Sequence, residues 1–280
     1  MNSETIKPNR TELPRDYLDY SDYSVTLEDT VVVDEHQKKY KELMLEAERR
    51  RKISQISFWN LLVENVAPSG FKMPEDGQVT ILDLACGKCK EGEVLHAFFG
   101  GISLDDVDRG VRTDGVEIMG VDLDRNAILD AKMEYMYGRL DPLFEKDPIP
   151  FPNIDFIVGD ATDLSKITNI PETADVVIIR NQQLIGSDNQ EVPLKQWQDN
   201  WRMIFEQAFN KVDKEGIVII TSTSQNEHNT LIKLLEAMGE KVVIEAKNKF
   251  AGVLKGQSDI PEIRDGEYLD DNYVVVARSR

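Results

Sequence analysis

The chain has 280 residues, of which 41% are hydrophobic and 30% charged, and it carries a formal net charge of −18. This length allows one large α/β domain with additions, or two small domains. So much negative charge repels a phosphate backbone, which disfavours extensive nucleic-acid binding but still permits a small anion to be bound by backbone groups and local cations.

Membrane association and secretion are not expected. No apolar run approaches the roughly 20 residues that a membrane-spanning helix needs. The N-terminus is polar and lacks the basic flank and apolar centre of a secretory signal. The chain has only two cysteines, close together in sequence, and these form no disulfide framework. We therefore expect a cytoplasmic protein.

The N-terminal part divides into an arm and a helix. Residues 1–33 are rich in Asp, Ser and Tyr and are expected to form an extended or partly disordered arm. Residues 34–66 contain no Gly or Pro and have apolar residues at helical spacing, which predicts one long helix, or two broken near the basic run 49–52. We interpret the basic run as a solvated helix face balanced by Glu42, Glu46 and Glu48, and assign 34–70 as a helical lid.

Residues 71–280 alternate between predicted strands and helices. Strands are predicted at 79–84, 116–122, 154–158, 174–179, 216–221, 241–246 and 272–277, and helices at 92–99, 125–138, 193–212 and 226–238. Segments 105–115 and 252–271 are expected to be loop insertions. The pattern predicts an α/β fold with a doubly wound, seven-stranded, mostly parallel sheet and an antiparallel edge strand, preceded by the N-terminal helical extension.

The stretch Ile81-Leu-Asp-Leu-Ala-Cys-Gly-Lys-Cys-Lys-Glu-Gly92 is the most informative in the sequence. A buried strand, a turn of small residues and a helix start form a site for a nucleotide-like ligand, because the backbone can approach closely and free N–H groups point outward. The same letters contain Cys86-Gly-Lys-Cys89, which is where a redox dithiol would lie.

Polar residues stand where the predicted strands end. Asp83 and Asp122 stand at the ends of the first two strands, Asp160 follows the third, and Arg-Asn-Gln-Gln at 180–183 follows the fourth. In open α/β sheets, ligands bind at these carboxyl ends. A carboxylate at Asp122 would accept two hydrogen bonds from a ribose diol, and Asp160 could accept from an exocyclic amine.

This ordered set resembles the class I S-adenosylmethionine-dependent methyltransferases over about residues 79–277. The resemblance rests on Asp-Leu-Ala-Cys-Gly at 83–87, Gly-Val-Asp-Leu-Asp at 120–124, Gly-Asp-Ala-Thr-Asp-Leu at 159–164 and Gly-Ile-Val-Ile-Ile-Thr at 216–221. It implies S-adenosylmethionine as cofactor and a seven-stranded sheet whose last pair is antiparallel. The family usually has glycine where Cys89 stands, and a cysteine is tolerated there if its φ is negative.

The resemblance also implies site residues. Ala85 and Gly87 would border the methionine part of the cofactor, and Asp122 would bind its ribose hydroxyls. Asp160 and the Ala161 amide would form hydrogen bonds with its adenine. The full cofactor-binding set is Asp83, Ala85, Gly87, Asp122, Leu123, Asp160, Ala161 and Arg180. Candidate substrate contacts are Asn181, Gln183 and His228. No catalytic base is identified and no metal is expected.

Other functions are less well supported by the sequence. A thiol–disulfide oxidoreductase would usually have an aromatic residue before its Cys-x-x-Cys motif, where Leu84 and Ala85 stand. Two cysteines and three scattered histidines lack zinc-ligand spacing. An RNA cap guanine methyltransferase is a second alternative, although its histidine–aromatic acceptor motif is missing at 181–184. A cofactor-binding protein without turnover is a third. We therefore favour methyl transfer to a small molecule by in-line displacement.

Overall fold

The computed structural model describes residues 5–6, 13–14, 16–18, 35–137, 151, 153–182, 184–185, 193–251, 253–255, 267–269 and 271–278. The helices are α1 (Glu35–Asn65), α2 (Gly92–Gly100), α3 (Leu104–Asp108), α4 (Arg125–Tyr137), α5 (Leu194–Lys211) and α6 (Gln225–Met238). The strands are β1 (Thr5–Ile6), β2 (Val79–Leu84), β3 (Arg112–Thr113), β4 (Val116–Asp122), β5 (Ile154–Val158), β6 (Ala174–Ile179), β7 (Val212–Ser222), β8 (Lys241–Lys247), β9 (Val253–Lys255), β10 (Glu267–Leu269) and β11 (Tyr273–Arg278). None of the helices in these ranges combines the length and apolar character needed to cross a bilayer.

Seven strands form the central sheet in the order β5-β4-β2-β6-β7-β11-β8. β5, β4, β2, β6 and β7 are parallel, whereas β11 lies antiparallel between β7 and β8. This confirms the predicted mostly parallel sheet with antiparallel pairing at one edge. The strand order reverses on either side of β2, which places a switch point at the carboxyl end of that strand.

Alternate residues of the central strands enter two separate cores. On one face, Ile81 of β2 and Val176 of β6 pack with residues of α1, α2 and α4. On the other face, Leu82 of β2 and Val177 of β6 pack with residues of α5 and α6. Side chains of a strand alternate between faces, so strands buried on both faces are continuously apolar. This explains why the predicted strands read as unbroken apolar runs.

The N-terminal helix is continuous, so the first of the two sequence interpretations is correct. Its second half is buried, with Phe58, Leu61 and Leu62 at 0% exposure. Residues of the arm contact this half: Asn60 donates to the Leu18 carbonyl at 2.6 Å and accepts from the Leu18 N–H at 2.7 Å. The Trp59 indole donates to the Asp16 carbonyl at 3.1 Å.

The basic run at 49–52 departs in part from its prediction. Arg49 and Arg50 pair with Glu46 on the exposed face, as expected. Arg51 and Lys52 instead point inward, with side chains 17% and 6% exposed, and pair across helices. Their partners are Glu93, Glu48 and Asp108. Glu93 and Asp108 lie 42 and 56 residues away, so helical spacing alone could not reveal them, whereas the pair of Arg51 with Glu48 has the i,i+3 spacing of a helix.

Two predicted loops contain regular structure. α3 extends into the first of them, 105–115, and Ser103 caps this helix by accepting from the Asp106 N–H, while Asp106 in turn accepts from the Ser103 N–H. β3 follows and pairs in parallel with β1. Within 252–271, β9 and β10 pair antiparallel. A capping box can initiate a helix as short as α3, whose five residues show too little periodicity to detect.

Candidate functional site

The turn after β2 has three alternate residues in the left-handed backbone region. The φ angles are 56° at Ala85, 54° at Gly87 and 47° at Cys89. The expectation of a negative φ at Cys89 is therefore wrong. Left-handed backbone costs an L-residue roughly 1–2 kcal/mol, so the surrounding contacts must hold Ala85 and Cys89 in place. A side chain added at Gly87 would meet nothing within 4 Å, so a ligand can approach the backbone there.

Relief of this backbone strain is testable at Ala85. Because glycine adopts the left-handed region freely but loses about 0.5–1 kcal/mol of backbone entropy, Ala85→Gly should raise the free energy of unfolding by up to about 1 kcal/mol. Urea denaturation provides the measurement. Ala127→Gly, in the first turn of α4, is the control and should lower stability by up to about 1 kcal/mol. A loss of stability in Ala85→Gly would show that this turn is not strained.

Asp83 lies at the base of the turn and is fully buried. Its carboxylate accepts a hydrogen bond from the Cys89 thiol, with 3.3 Å between Oδ2 and Sγ. Burial and the nearby Glu91 carboxylate raise the pKa of Asp83 well above its usual range. Asp83 therefore supports the turn from below.

Asp122 ends β4 and connects two segments of the site. Its Oδ2 accepts from the Gly87 N–H at 2.8 Å, and its Oδ1 accepts from the Asp124 N–H at 2.7 Å. Asp124 caps α4 by accepting from the N–H groups of Asn126 and Ala127. Each carboxylate oxygen has a second lone pair, so Asp122 retains capacity for two further donors.

The end of β5 contributes a polar turn with apolar neighbours. Asp160 is exposed and accepts from the Thr162 N–H at 2.9 Å and from the Thr162 hydroxyl at 2.7 Å. Ala161 is buried. Leu123 and Val158, at the ends of adjacent strands, remain 71% and 46% exposed. Large apolar side chains exposed at a polar strand edge are suited to contact a planar ligand.

Arg180 follows β6 and lies in a buried ion network. Its guanidinium forms a two-pronged ion pair with Asp271 and donates to Glu91 at 3.1 Å. The Phe58 ring lies 4.4 Å below it. Asp271 also accepts from the Thr221 hydroxyl at 2.6 Å. From the sequence, Arg180 is expected to bind the cofactor. In the structure, its guanidinium instead pairs with carboxylates from two distant segments of the chain.

The candidate substrate residues are placed as follows. Asn181 has a positive φ of 51°, and its N–H donates to the Thr221 carbonyl. Gln183 lies outside the described residues. His228 is buried in α6, with Nε2 3.1 Å from a Glu245 oxygen and its ring stacked on Tyr273. These contacts tie His228 to β8 and β11.

Both cysteines are free, buried parts of the turn. Burial, together with the negative charge of Asp83, raises the pKa of both thiols well above the usual range. Because the thiolate is the reactive form, these environments oppose dithiol chemistry. A group of Asp83, Cys89 and Glu91 has ligand atoms within 4.8 Å of one another. Glu91, however, pairs with Arg180.

We expect the two thiols to be inert in the folded protein. Neither should react with Ellman's reagent at about pH 8, whereas both should react after unfolding, because burial suppresses the thiolate. Insulin reduction should be absent. The double variant Cys86→Ser/Cys89→Ser should keep cofactor affinity within about tenfold, or 1.4 kcal/mol. Thiol reactivity in the native state, lost in the double variant, would favour the redox alternative.

Four residues of the site were not identified from the sequence: Glu91, Thr221, Asp271 and Phe58. Asp271 stands in an acidic segment, and nothing local distinguishes it from Asp270. Its partner Arg180 is 91 residues away. Only the order of the strands brings the two together, since β11 returns beside β7.

The strand order decides the fold. Five parallel strands, with a reversed last strand inserted before the edge strand, match the arrangement that the sequence resemblance implies. The chain has the class I methyltransferase fold. The glycine-containing turn after β2 and the carboxylate at the end of β4 lie at the carboxyl ends of the strands, where open α/β sheets bind their ligands.

The chain is similar to several solved methyltransferase structures. A TehB-like S-adenosylmethionine-dependent methyltransferase from Corynebacterium glutamicum is 16% identical, with a TM-score of 0.40, over 79% of this chain and 87% of that one. Precorrin-6y C5,15-methyltransferase from Geobacter metallireducens is 11% identical, with a TM-score of 0.43, over 78% and 88%. The N-methyltransferase NodS from Bradyrhizobium japonicum is 12% identical, with a TM-score of 0.41, over 72% and 87%. No protein-family model and no curated protein matches the chain. At these identities the likeness concerns the fold alone.

Proposed function

We propose that this protein is an S-adenosylmethionine-dependent methyltransferase acting on a small molecule. The observation that carries the proposal is the position of Asp122. Its carboxylate stands at the switch point, is fixed by two backbone N–H groups, and keeps a lone pair on each oxygen. A ribose diol is the ligand group that matches two such acceptors.

The neighbouring groups fit the rest of the cofactor. Gly87 leaves open space above its backbone, which a larger residue would fill. Leu123 and Val158 offer apolar contacts for adenine, and Asp160 and the Ala161 amide offer polar ones. Ala85 and Gly87 would border the methionine part, with the start of α2 beyond them.

The residues of the chain would mainly bind and orient. When bound, the cofactor would supply an electrophilic methyl group on a sulfonium sulfur for in-line displacement by a nitrogen or oxygen of the acceptor. Asp122 and the turn after β2 would hold and orient the cofactor. Alignment of the two reactants and exclusion of water then supply most of the rate enhancement.

A small-molecule acceptor is supported by the charge of the chain. The net charge of −18 opposes close approach of an RNA backbone. Tyr17 of the arm stacks on Phe250, and Ser57 of α1 accepts from Asn248, so both lie beside the carboxyl end of β8 and the amino end of β11. A cytoplasmic location remains part of the proposal.

Cofactor binding is the first test. Calorimetry should detect micromolar or tighter binding of S-adenosylmethionine or its demethylated product, which corresponds to about −8 kcal/mol or better. Binding of NAD or ATP, but neither of these compounds, would refute the assignment. Transfer of labelled methyl to a small-molecule extract, and none to capped RNA, is expected. Label in capped RNA alone would overturn the acceptor class.

A further inference from the structure

Tyr135, in the last turn of α4, reaches the turn that follows β2. Its hydroxyl donates to the Cys89 carbonyl at 2.6 Å, across 46 residues of sequence. A Cβ atom at Gly92 would lie 2.8 Å from the Tyr135 hydroxyl oxygen, so glycine at this position leaves the room that the tyrosine needs. Helix α4 is therefore in direct hydrogen-bond contact with the backbone of the candidate cofactor turn.

Every polar group of Cys89 has a partner. Its N–H donates to the Cys86 carbonyl at 2.8 Å, and its thiol donates to Asp83. Its carbonyl accepts from the Gly92 N–H at 3.1 Å and from Tyr135. Cys86 and Gly92 belong to the turn itself, and Asp83 holds only the side chain. Of the partners that the structure describes, Tyr135 is thus the one that fixes the Cys89 backbone from another element.

The bond from Tyr135 falls on a strained residue. Cys89 has a φ of 47°, and an L-residue other than glycine disfavours left-handed backbone because its Cβ crowds the following carbonyl. Glycine would adopt this conformation freely. Where a side chain is present instead, the surrounding contacts must hold the conformation. The Tyr135 hydroxyl supplies such a contact at the Cys89 carbonyl itself.

The Tyr135 side chain is itself held by its neighbours. It is 3% exposed, and its ring packs edge-on against Phe151, with the ring centroids 5.3 Å apart. The ring of Phe156, in β5, lies 5.4 Å away on a tilt. Burial raises the pKa of the Tyr135 hydroxyl well above its usual range, so the group stays a hydrogen-bond donor. A donor fixed in this way can specify where the Cys89 carbonyl lies.

Helix α4 is linked to the turn at both of its ends. At its start, Asp124 caps the helix, and the Asp124 N–H donates to Asp122, which also accepts from the Gly87 N–H. In its last turn, Tyr135 donates to Cys89. The turn backbone therefore takes its position from α4 at two points, Gly87 and Cys89.

We propose that Tyr135 is a positioning residue of the cofactor site. Its hydroxyl keeps Cys89 in the left-handed conformation, and so keeps the backbone at Gly87 in the shape that admits the ligand, without touching the ligand itself. A ligand binds only the fraction of molecules whose turn has this shape, so a smaller fraction weakens the apparent affinity in proportion. The identity of the ligand as S-adenosylmethionine rests on the proposed function.

A double-mutant cycle between Tyr135 and Cys89 tests the proposal. Tyr135→Phe removes only the hydroxyl and should weaken calorimetric binding of S-adenosylmethionine about tenfold, or 1.4 kcal/mol. In a Cys89→Gly background, the same substitution should weaken binding by no more than about twofold, because glycine needs no partner to adopt the left-handed region. An equal loss of affinity in both backgrounds would overturn the proposal.

Ile128→Val is the matched control for a general loosening of α4. Ile128 is 1% exposed in the same helix, and its shorter replacement leaves a small void but removes no hydrogen bond. This variant should lose stability toward urea, while its cofactor affinity stays within about twofold of the parent. If Tyr135→Phe likewise lost stability but kept its affinity, the tyrosine would be purely structural and the proposal would be wrong.

Hydrogen exchange in the cofactor-free protein separates this claim from the proposed function. Amide exchange over residues 85–92 should be about tenfold faster in Tyr135→Phe than in the parent, and close to parental in Ile128→Val, because opening of the turn sets the rate. Faster exchange in a protein that binds neither S-adenosylmethionine nor its demethylated product would uphold the role of Tyr135 and refute the methyltransferase function. Unchanged exchange would refute the role of Tyr135. Should Tyr135→Phe not fold alone, Tyr135→Phe/Cys89→Gly should fold, and failure of both to fold would also refute that role.

Discussion

Replacing Asp122 with alanine should weaken binding of S-adenosylmethionine by about 2–3 kcal/mol. This is the range for hydrogen bonds to a charged group, and both ribose hydroxyls would lose their acceptor. Calorimetric titration of the purified variant gives the change in affinity directly. Asp122→Asn provides a second measurement. Because its amide keeps one acceptor oxygen, this variant should lose less cofactor affinity than Asp122→Ala.

Asp124→Ala is the matched control for this prediction. Asp124 carries the same charge two residues away, but its carboxylate caps α4. Its loss should cost about 1 kcal/mol of stability and little affinity. The opposite outcome, in which Asp124→Ala abolishes binding and Asp122→Ala does not, would require the ribose contact to be reassigned.

Asp122 also has a structural role that the sequence does not reveal. From sequence, Asp122→Ala is expected to leave folding almost unchanged. The structure shows that the Asp122 carboxylate accepts from the Gly87 and Asp124 N–H groups. Losing these bonds should lower the free energy of unfolding by about 1–2 kcal/mol. Binding must therefore be measured on protein shown to be folded.

The sequence predicts this fold well because its strands are buried on both faces. Apolar runs such as Val79–Leu84 are local signals, and the acids that follow them mark the carboxyl ends. Asp122 and Asp160 could be assigned because Asp122 ends a strand and Asp160 lies in the turn after the next one. Short elements such as α3 and β3 were missed, since they contain too few residues to show a period.

Contacts that depend on tertiary structure could not be predicted. The positive φ of Cys89 follows from the shape of the turn, although cysteine itself disfavours that conformation. The ion pair between Arg180 and Asp271 depends on β11 lying beside β7. Residues directly after a strand were assumed to face the ligand. Arg180 shows that such a residue can instead link the strand to neighbouring segments.

Replacing Arg180 with methionine should destabilise the protein by about 3–5 kcal/mol. The substitution leaves Asp271, which is fully buried, and Glu91, which is 5% exposed, without their shared cation. Uncompensated buried charge has a cost of this size. Urea denaturation measures the loss. Arg202→Met, which removes an exposed pair with Glu206, should change stability by less than about 0.5 kcal/mol.

A second substitution separates a structural role for Arg180 from a ligand-binding one. Adding Asp271→Asn to Arg180→Met removes one of the uncompensated charges, so the double variant should be more stable than Arg180→Met alone. Cofactor affinity, measured where the variants remain folded, should stay within about tenfold of the parent. A large loss of affinity with little loss of stability would show that Arg180 contacts the cofactor, as its position after β6 suggested from the sequence.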